Sequence, residues 1–232
     1  MTRKVIAVIQ VMRHTRNIGQ ETTAAGAALA FRRGEQTAAF LQRSPHISRA
    51  IRQRGLIYAG HPSHQGRAIQ TEEQHYQGLV SNAFIRKHKQ GGFTRQLRNV
   101  TDVGKTPEGM AQYTRDVAGL IPSIERLLQG KPQPHYAEDL SSVQRRIGIV
   151  KDIEDAIRTS SKRKAPVLFM NVVSHSLDPF SGPVELIAEQ LTGKKITELG
   201  GAFKHSEGIR RVLYSDGSTE TRVFRQNSKR NR

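Results

Sequence analysis

Two long apolar runs stand out from an otherwise polar chain of 232 residues: Val-Ile-Ala-Val-Ile-Gln-Val-Met at 5–12 and Pro-Val-Leu-Phe-Met-Asn-Val-Val at 166–173. Unalternating, β-branched runs of this length predict strands buried on both faces, as in a parallel sheet covered by helices. A shorter run at 56–59 predicts a third strand. Between the strands the pattern becomes helical. Residues 22–31 are rich in good helix formers, with Thr22 or Thr23 placed to cap the start and Gly34 to close the end. Residues 35–54 set Ala39, Phe40, Ile47 and Ile51 at helical spacing, with Pro45 marking a break or a new start and Gly55 the end. Residues 70–89 predict a helix whose inward positions include Leu79, Val80, Phe84 and Ile85.

Further along, Gly91, Gly92 and Gly104 among polar residues predict an irregular excursion near 90–106. Thr106-Pro107-Glu108 then opens a helix through 128, with proline at its first position and an acid in its first turn. An amphipathic helix over 138–160 and another over 179–191 follow, with Gly193 ending the latter. Residues 210–224 read as a hairpin turned at Asp216-Gly217. Strands alternating with helices predict an α/β fold: a three-layer α/β/α sandwich around a mainly parallel sheet, as one domain over 1–225, with 226–232 as a basic tail.

Composition narrows the chemistry. The chain has no cysteine, which excludes disulfides, thiolate metal sites and a cysteine nucleophile. Arg3 and Lys4 precede an apolar run too short to span a membrane, and no small-residue cleavage site follows, so a soluble, cytoplasmic protein without membrane association is expected. The formal charge of +17 is uneven: residues 1–100 carry 16 Lys and Arg against 4 acids, residues 101–200 carry 13 of each, and residues 201–232 carry 8 against 3. Such a field favours anionic substrates and polyanionic partners such as nucleic acid.

The apolar runs stop at titratable residues. The first long run ends in Arg13-His14, the second in Ser174-His175, and the short strand between them leads through Gly60-His61-Pro62-Ser63-His64-Gln65-Gly66 to Arg67. Ligands of open α/β sheets gather beyond the carboxyl ends of the strands, so two arginines and two histidines converge there. Arginine forks match phosphate oxygens. A neutral imidazole can take a phosphoryl group as a covalent intermediate, and flanking arginines favour that neutral form. The reaction class indicated is phosphoryl transfer through histidine. No GxxxxGK[ST] segment is present, which argues against an ATPase, and His61 and His64 find no carboxylate to complete a metal-spacing pattern.

These pieces carry a resemblance. Val11-Met12-Arg13-His14-Thr15 looks like the RHG signature of the histidine phosphatase superfamily, which includes phosphoglycerate mutases and acid phosphatases. Thr23-x-x-Gly26 resembles the segment that follows it, Arg67-Ala68-Ile69-Gln70-Thr71 its RAxxT helix start, and Val173-Ser174-His175 its late strand and second histidine. The pieces occur in family order across 4–192. The resemblance implies that His14 is the phosphorylated nucleophile, that Arg13, Arg67 and His175 bind the phosphoryl group with it, and that no cofactor is needed. For the acid that protonates the leaving oxygen it implies Glu108 first, with Asp102, Glu72, Glu73 and Asp178 as alternatives. Two departures stand out: Thr15 replaces the usual glycine, and the usual Ser-Pro before the second arginine is altered and lengthened. The activity implied is hydrolysis of a small phosphomonoester, with mutase activity less favoured because the family's ER-x-Y-G segment is missing. The alternative is a weakly active or non-catalytic relative that holds RNA, a ribosome or another polyanion on its basic surface.

Overall fold

The computed structural model describes residues 3–19, 21–62, 66–90, 93–94, 125–126, 165–174 and 183–226. In chain order its elements are β1 (Val5–Arg13), β2 (Asn17–Ile18), β3 (Glu21–Thr22), α1 (Ala24–Arg43), α2 (Pro45–Arg54) and β4 (Leu56–Pro62), followed by α3 (Gly66–Ser81), α4 (Ala83–His88) and β5 (Phe93–Thr94). After these come β6 (Val167–Ser174), α5 (Pro183–Thr192), β7 (Gly208–Tyr214) and β8 (Thr219–Phe224). Six strands form one sheet in the order β5-β4-β6-β1-β7-β8. The pairs β5–β4, β4–β6 and β6–β1 are parallel, whereas β7 and β8 are added antiparallel.

The unalternating runs form the centre of this sheet because both their faces are covered. On one face Ala7, Ile9 and Val11 of β1 join Leu168, Met170 and Val172 of β6 beneath Val184, Ile187 and Ala188 of α5. On the other, Val5 and Val8 pack with Tyr58, Phe169, Leu41, Ile51 and Leu79 under α1, α2 and α3. Burial of each of the Val, Ile, Leu and Met side chains among these contributes about 1.5–3 kcal/mol. The result is the expected three-layer α/β/α sandwich with a mainly parallel sheet.

Several boundaries differ from the pattern's prediction. The first helix runs through Gly34 to Arg43. Gly34 is not a terminator: a Cβ there would stand 2.0 Å from the His75 carbonyl oxygen of α3, and one at Gly78 would stand 1.9 Å from that of Phe31. The two glycines let α1 and α3 touch backbone to backbone, and that contact outweighs the roughly 1 kcal/mol helix penalty of each. Among the inward residues of this helix are Ala38 and Leu41, both fully buried, whereas the predicted Ala39 is only partly buried. Thr23 is the cap, its hydroxyl accepting from Gly26 N–H, and Gly55 ends α2 at φ 82°.

The predicted helix over 70–89 begins at Gly66 and divides at Asn82, whose side chain accepts from Phe84 and Ile85 N–H and starts α4 afresh. The middle strand extends to Pro62, which sits at its last position, where a missing N–H is tolerated. His61 is consequently a buried strand residue, not part of a surface turn. The hairpin is as expected, with Gly217 at φ 84° and Asp216 Oδ1 accepting from Ser218 N–H at 2.9 Å. Most of the excursion near 90–106, most of the helices predicted over 106–128 and 138–160, and residues 227–232 of the tail lie outside the described residues. Glu125 and Arg126 are helical, and Glu125 pairs with Arg211 of β7 at 2.6 Å.

Candidate active site

The carboxyl ends of β1, β4 and β6 meet at one edge of the sheet. Arg13 lies in register with Ser174, and Pro62 with Val173. His14 N–H donates to the Ser174 carbonyl at 3.0 Å, which carries the pairing one residue beyond the strand. His175 follows Ser174 in sequence but, like Glu108, Asp102 and Asp178, lies outside the described residues. Because β7 is antiparallel, its amino end reaches the same edge. Arg13 N–H donates to Glu207 O at 2.9 Å, and Ser206 N–H donates to Arg13 O at 3.0 Å.

His14 is almost wholly buried, at 5% exposure. Its Nδ1 lies 2.7 Å from the Thr15 carbonyl oxygen. A carbonyl only accepts, so Nδ1 carries the proton and Nε2 keeps its lone pair. Burial pushes the His14 pKa down to about 4; the Thr15 bond opposes this, while Arg67, Arg13 and His205 add to it. The imidazole is therefore neutral at physiological pH.

The two predicted phosphate-binding arginines flank it and feel one another, since Arg13 contributes to lowering Arg67 after burial itself. Arg13 Nη1 donates to Phe203 O at 3.0 Å and Arg67 Nη1 to Gly19 O at 3.4 Å. Their buried Nε atoms have no hydrogen-bond partner among the described residues. Behind Arg13, the carboxylates of Glu185 and Glu207 partly offset the burial that lowers it. They are held by the backbone N–H groups of Phe203 and Lys204.

Thr15 acts as a bolt between the strand end and α3. Its N–H donates to Thr71 Oγ1 at 3.1 Å, its own hydroxyl lies 3.0 Å from that oxygen, and Thr71 in turn reaches Arg67 O at 2.7 Å. The β2–β3 hairpin is tied to the same helix, with Gln70 accepting from Thr22 N–H at 2.7 Å. Gly26 completes the fit, because a Cβ there would lie 2.3 Å from Arg16 O. Thus Thr15, Thr23, Gly26 and Thr71, singled out in sequence as pieces of separate motifs, build one frame.

The two alternative acids on α3 do not join it. Glu73 is exposed. Glu72 is buried deeper along the helix, where its carboxyl accepts from Tyr58 Oη and Asn171 Nδ2. It belongs to a polar network that single-sequence reasoning missed. Gln10 of β1 donates to Asn171 of β6 at 2.9 Å and lies 3.1 Å from His75 Nε2 of α3. Thr37 of α1 and Arg210 of β7 both reach Gln10 Oε1. His205 was missed as well; its ring centroid lies 5.9 Å from that of His14, at 61° between planes. Among the described residues no group of three His, Asp or Glu side chains could hold a metal ion.

No protein-family model and no curated protein matches the chain. Among solved structures it is similar to a phosphoglycerate mutase from Plasmodium falciparum. The two are 13% identical over 96% of this chain and 94% of that one, with a TM-score of 0.41. At that identity and score the match is a likeness only, and the chemistry rests on the residues above. No helix among the described residues is long and apolar enough to cross a membrane.

Proposed function

We propose that the chain is a histidine phosphatase that hydrolyses a small phosphomonoester through a phosphohistidine on His14. The observation that carries this reading is the buried His14 imidazole, held by Thr15 O as the Nδ1–H tautomer in which Nε2 is the basic nitrogen, with Arg67 and Arg13 near enough to add to the lowering of its pKa. In the first step Nε2 attacks phosphorus, the ester P–O bond breaks, and the leaving oxygen takes a proton from the general acid, for which Glu108 is proposed. In the second, water gives a proton back to that carboxylate as it attacks the phosphohistidine, the N–P bond breaks, and phosphate leaves with His14 neutral and the acid reprotonated. Arg13 and Arg67, joined by His175, neutralise charge on the phosphoryl oxygens, the main catalytic contribution in a loose transition state. Hydrolysis of p-nitrophenyl phosphate by the wild type, abolished in His14→Ala and reduced at least a hundredfold in Arg67→Ala, is the expected result. An unaffected His14→Ala variant overturns the reading.

A second reading, polyanion binding, is favoured by a cleft of about 460 Å³ whose lining among the described residues includes Arg3, Lys4, His46, Arg49 and Arg54 and no acidic residue, Arg3 being paired with Glu220 beside it. It opens where β1 begins, at the opposite end of that strand from His14. Salt-sensitive RNA binding that Lys4→Glu and Arg49→Glu weaken, while His14→Ala leaves it intact, supports that role.

A further inference from the structure

His205 belongs to no motif of the proposed site, yet the fold delivers it there with unusual constraint. The turn from Phe203 to Glu207 is fastened to Arg13 from both sides: Arg13 N–H to Glu207 O, Ser206 N–H to Arg13 O, and Arg13 Nη1 to Phe203 O. Within the turn Glu207 N–H donates to Lys204 O at 3.0 Å, and the Glu207 carboxylate accepts from Lys204 N–H at 2.9 Å. Ser206 takes a left-handed φ of 57°, the one positive φ on a non-glycine among the described residues. Such a conformation persists only where the surroundings over-determine it, and here those surroundings are the bonds to Arg13.

The outcome is that the half-buried His205 ring stands edge-on to His14. Burial lowers its pKa from the ordinary imidazole value, and Arg13 and Arg16 add to that lowering. Its main-chain carbonyl has a structural partner in Gln226 Nε2, at 2.6 Å. The ring nitrogens make no hydrogen bond among the described residues, which leaves them able to meet a bound anion.

We propose that His205 is a phosphate-contacting residue of this site, its imidazole N–H donating to a phosphoryl oxygen held between Arg13 and His14. A neutral imidazole suits the place chemically. It adds a donor aimed at the anion without adding a third full positive charge, which would depress His14 further and hold the phosphate product too tightly. The proposal depends on the phosphate-pocket reading, but it is tested by anion binding rather than by turnover.

Inorganic phosphate is titrated calorimetrically into the full chain, as wild type and as His205→Ala, His205→Leu, His205→Asn and Arg13→Ala. Loss of one hydrogen bond to a charged oxygen weakens phosphate about tenfold or more in His205→Ala and His205→Leu. His205→Asn, which keeps an N–H donor, recovers part of the loss, a rescue that a merely structural role does not give. Thermal melts identify any variant that fails to fold, and His205→Leu, which retains the volume, and His205→Asn keep the comparison available. Wild-type affinity in folded His205→Ala or His205→Leu, with loss in Arg13→Ala, overturns the role of His205 and leaves the pocket standing. Affinity untouched by Arg13→Ala overturns the pocket itself.

Discussion

Replacing Glu72 with glutamine tests the buried network on which α3, and with it Arg67, is seated. Burial raises the Glu72 pKa from its ordinary value near 4.5 to about 8, against hydrogen bonds from Tyr58 and Asn171 that favour the carboxylate. Between those two pH values the unfolded chain has released the proton and the folded chain has kept it. Folding stability from this group is therefore complete below about pH 4.5 and falls as pH rises toward 8. At about 1.4 kcal/mol per pKa unit the loss by pH 7 is roughly 3 kcal/mol.

Glutamine has the shape of the protonated acid and the same donor and acceptor, so it can accept from Asn171 and donate to Tyr58 at every pH. His75 and His14, pushed down to about 3 and about 4, act in the other direction, losing stability as pH falls below about 6.5. Both proteins carry those histidines, so their contribution cancels in the difference. Urea unfolding of wild type and Glu72→Gln is expected to give similar stabilities at pH 4.5, with the variant ahead by roughly 3 kcal/mol at pH 7. A gap that stays constant from pH 4.5 to 7 would falsify the protonated state and show an ionised carboxylate satisfied by its two donors.

Three further outcomes follow from the geometry. Gly34→Ala is expected to destabilise by about 3 kcal/mol in denaturant melts, because its Cβ collides with main chain that can move only if α1 and α3 separate. In Thr71→Val the buried Thr15 N–H loses its acceptor; stability should drop by about 1–2 kcal/mol and phosphatase kcat by about tenfold, with unchanged kcat the contrary result. In a histidine NMR titration His14 should stay unprotonated until pH falls to about 4, and Arg67→Ala should move that titration upward by removing a nearby cation. A wild-type midpoint near 6.5 contradicts the placement.

The sheet and one wall of the site were legible in the chain because the features that define them are local. Strands covered on both faces need unbroken apolar runs, and a titratable residue at the end of such a run is visible without knowing what lies beside it. Thr23, Gly55 and Asp216-Gly217 were readable for the same reason, since a cap or a turn is satisfied within a few residues. Gly34 misled because its role is set by His75, 41 positions away, and nothing in the helix itself distinguishes a packing glycine from a stop. His205 escaped because it precedes a strand rather than following one. Only the antiparallel direction of β7 brings its amino end to the edge where the parallel strands finish. For the network a signal existed: Gln10 interrupts the first run four residues before His14, and Asn171 interrupts the other run four residues before His175. The structure pairs those two amides directly across β1 and β6.

That pairing explains why so polar a cluster is kept in the middle of a core. Apolar contacts hold α3 against the sheet but tolerate sliding, whereas hydrogen bonds have direction and fix register. Gln10 and Asn171 present one amide from each central strand, and α3 answers with His75 and, one turn earlier, Glu72. Arg210 enters from β7 as a buried guanidinium held by Gln10 and Thr37 and stacked 4.3 Å from the Phe40 ring, so its charge is met by a carbonyl and a π face rather than a carboxylate. One residue before Glu72, Thr71 makes the outermost bond of the same interface, to Thr15. The helix that carries Arg67 and the strand that ends in Arg13 and His14 are thus registered at two depths. A phosphoryl group bridging those two arginines requires that register, because planar guanidinium forks bind oxygen only within a narrow range of positions.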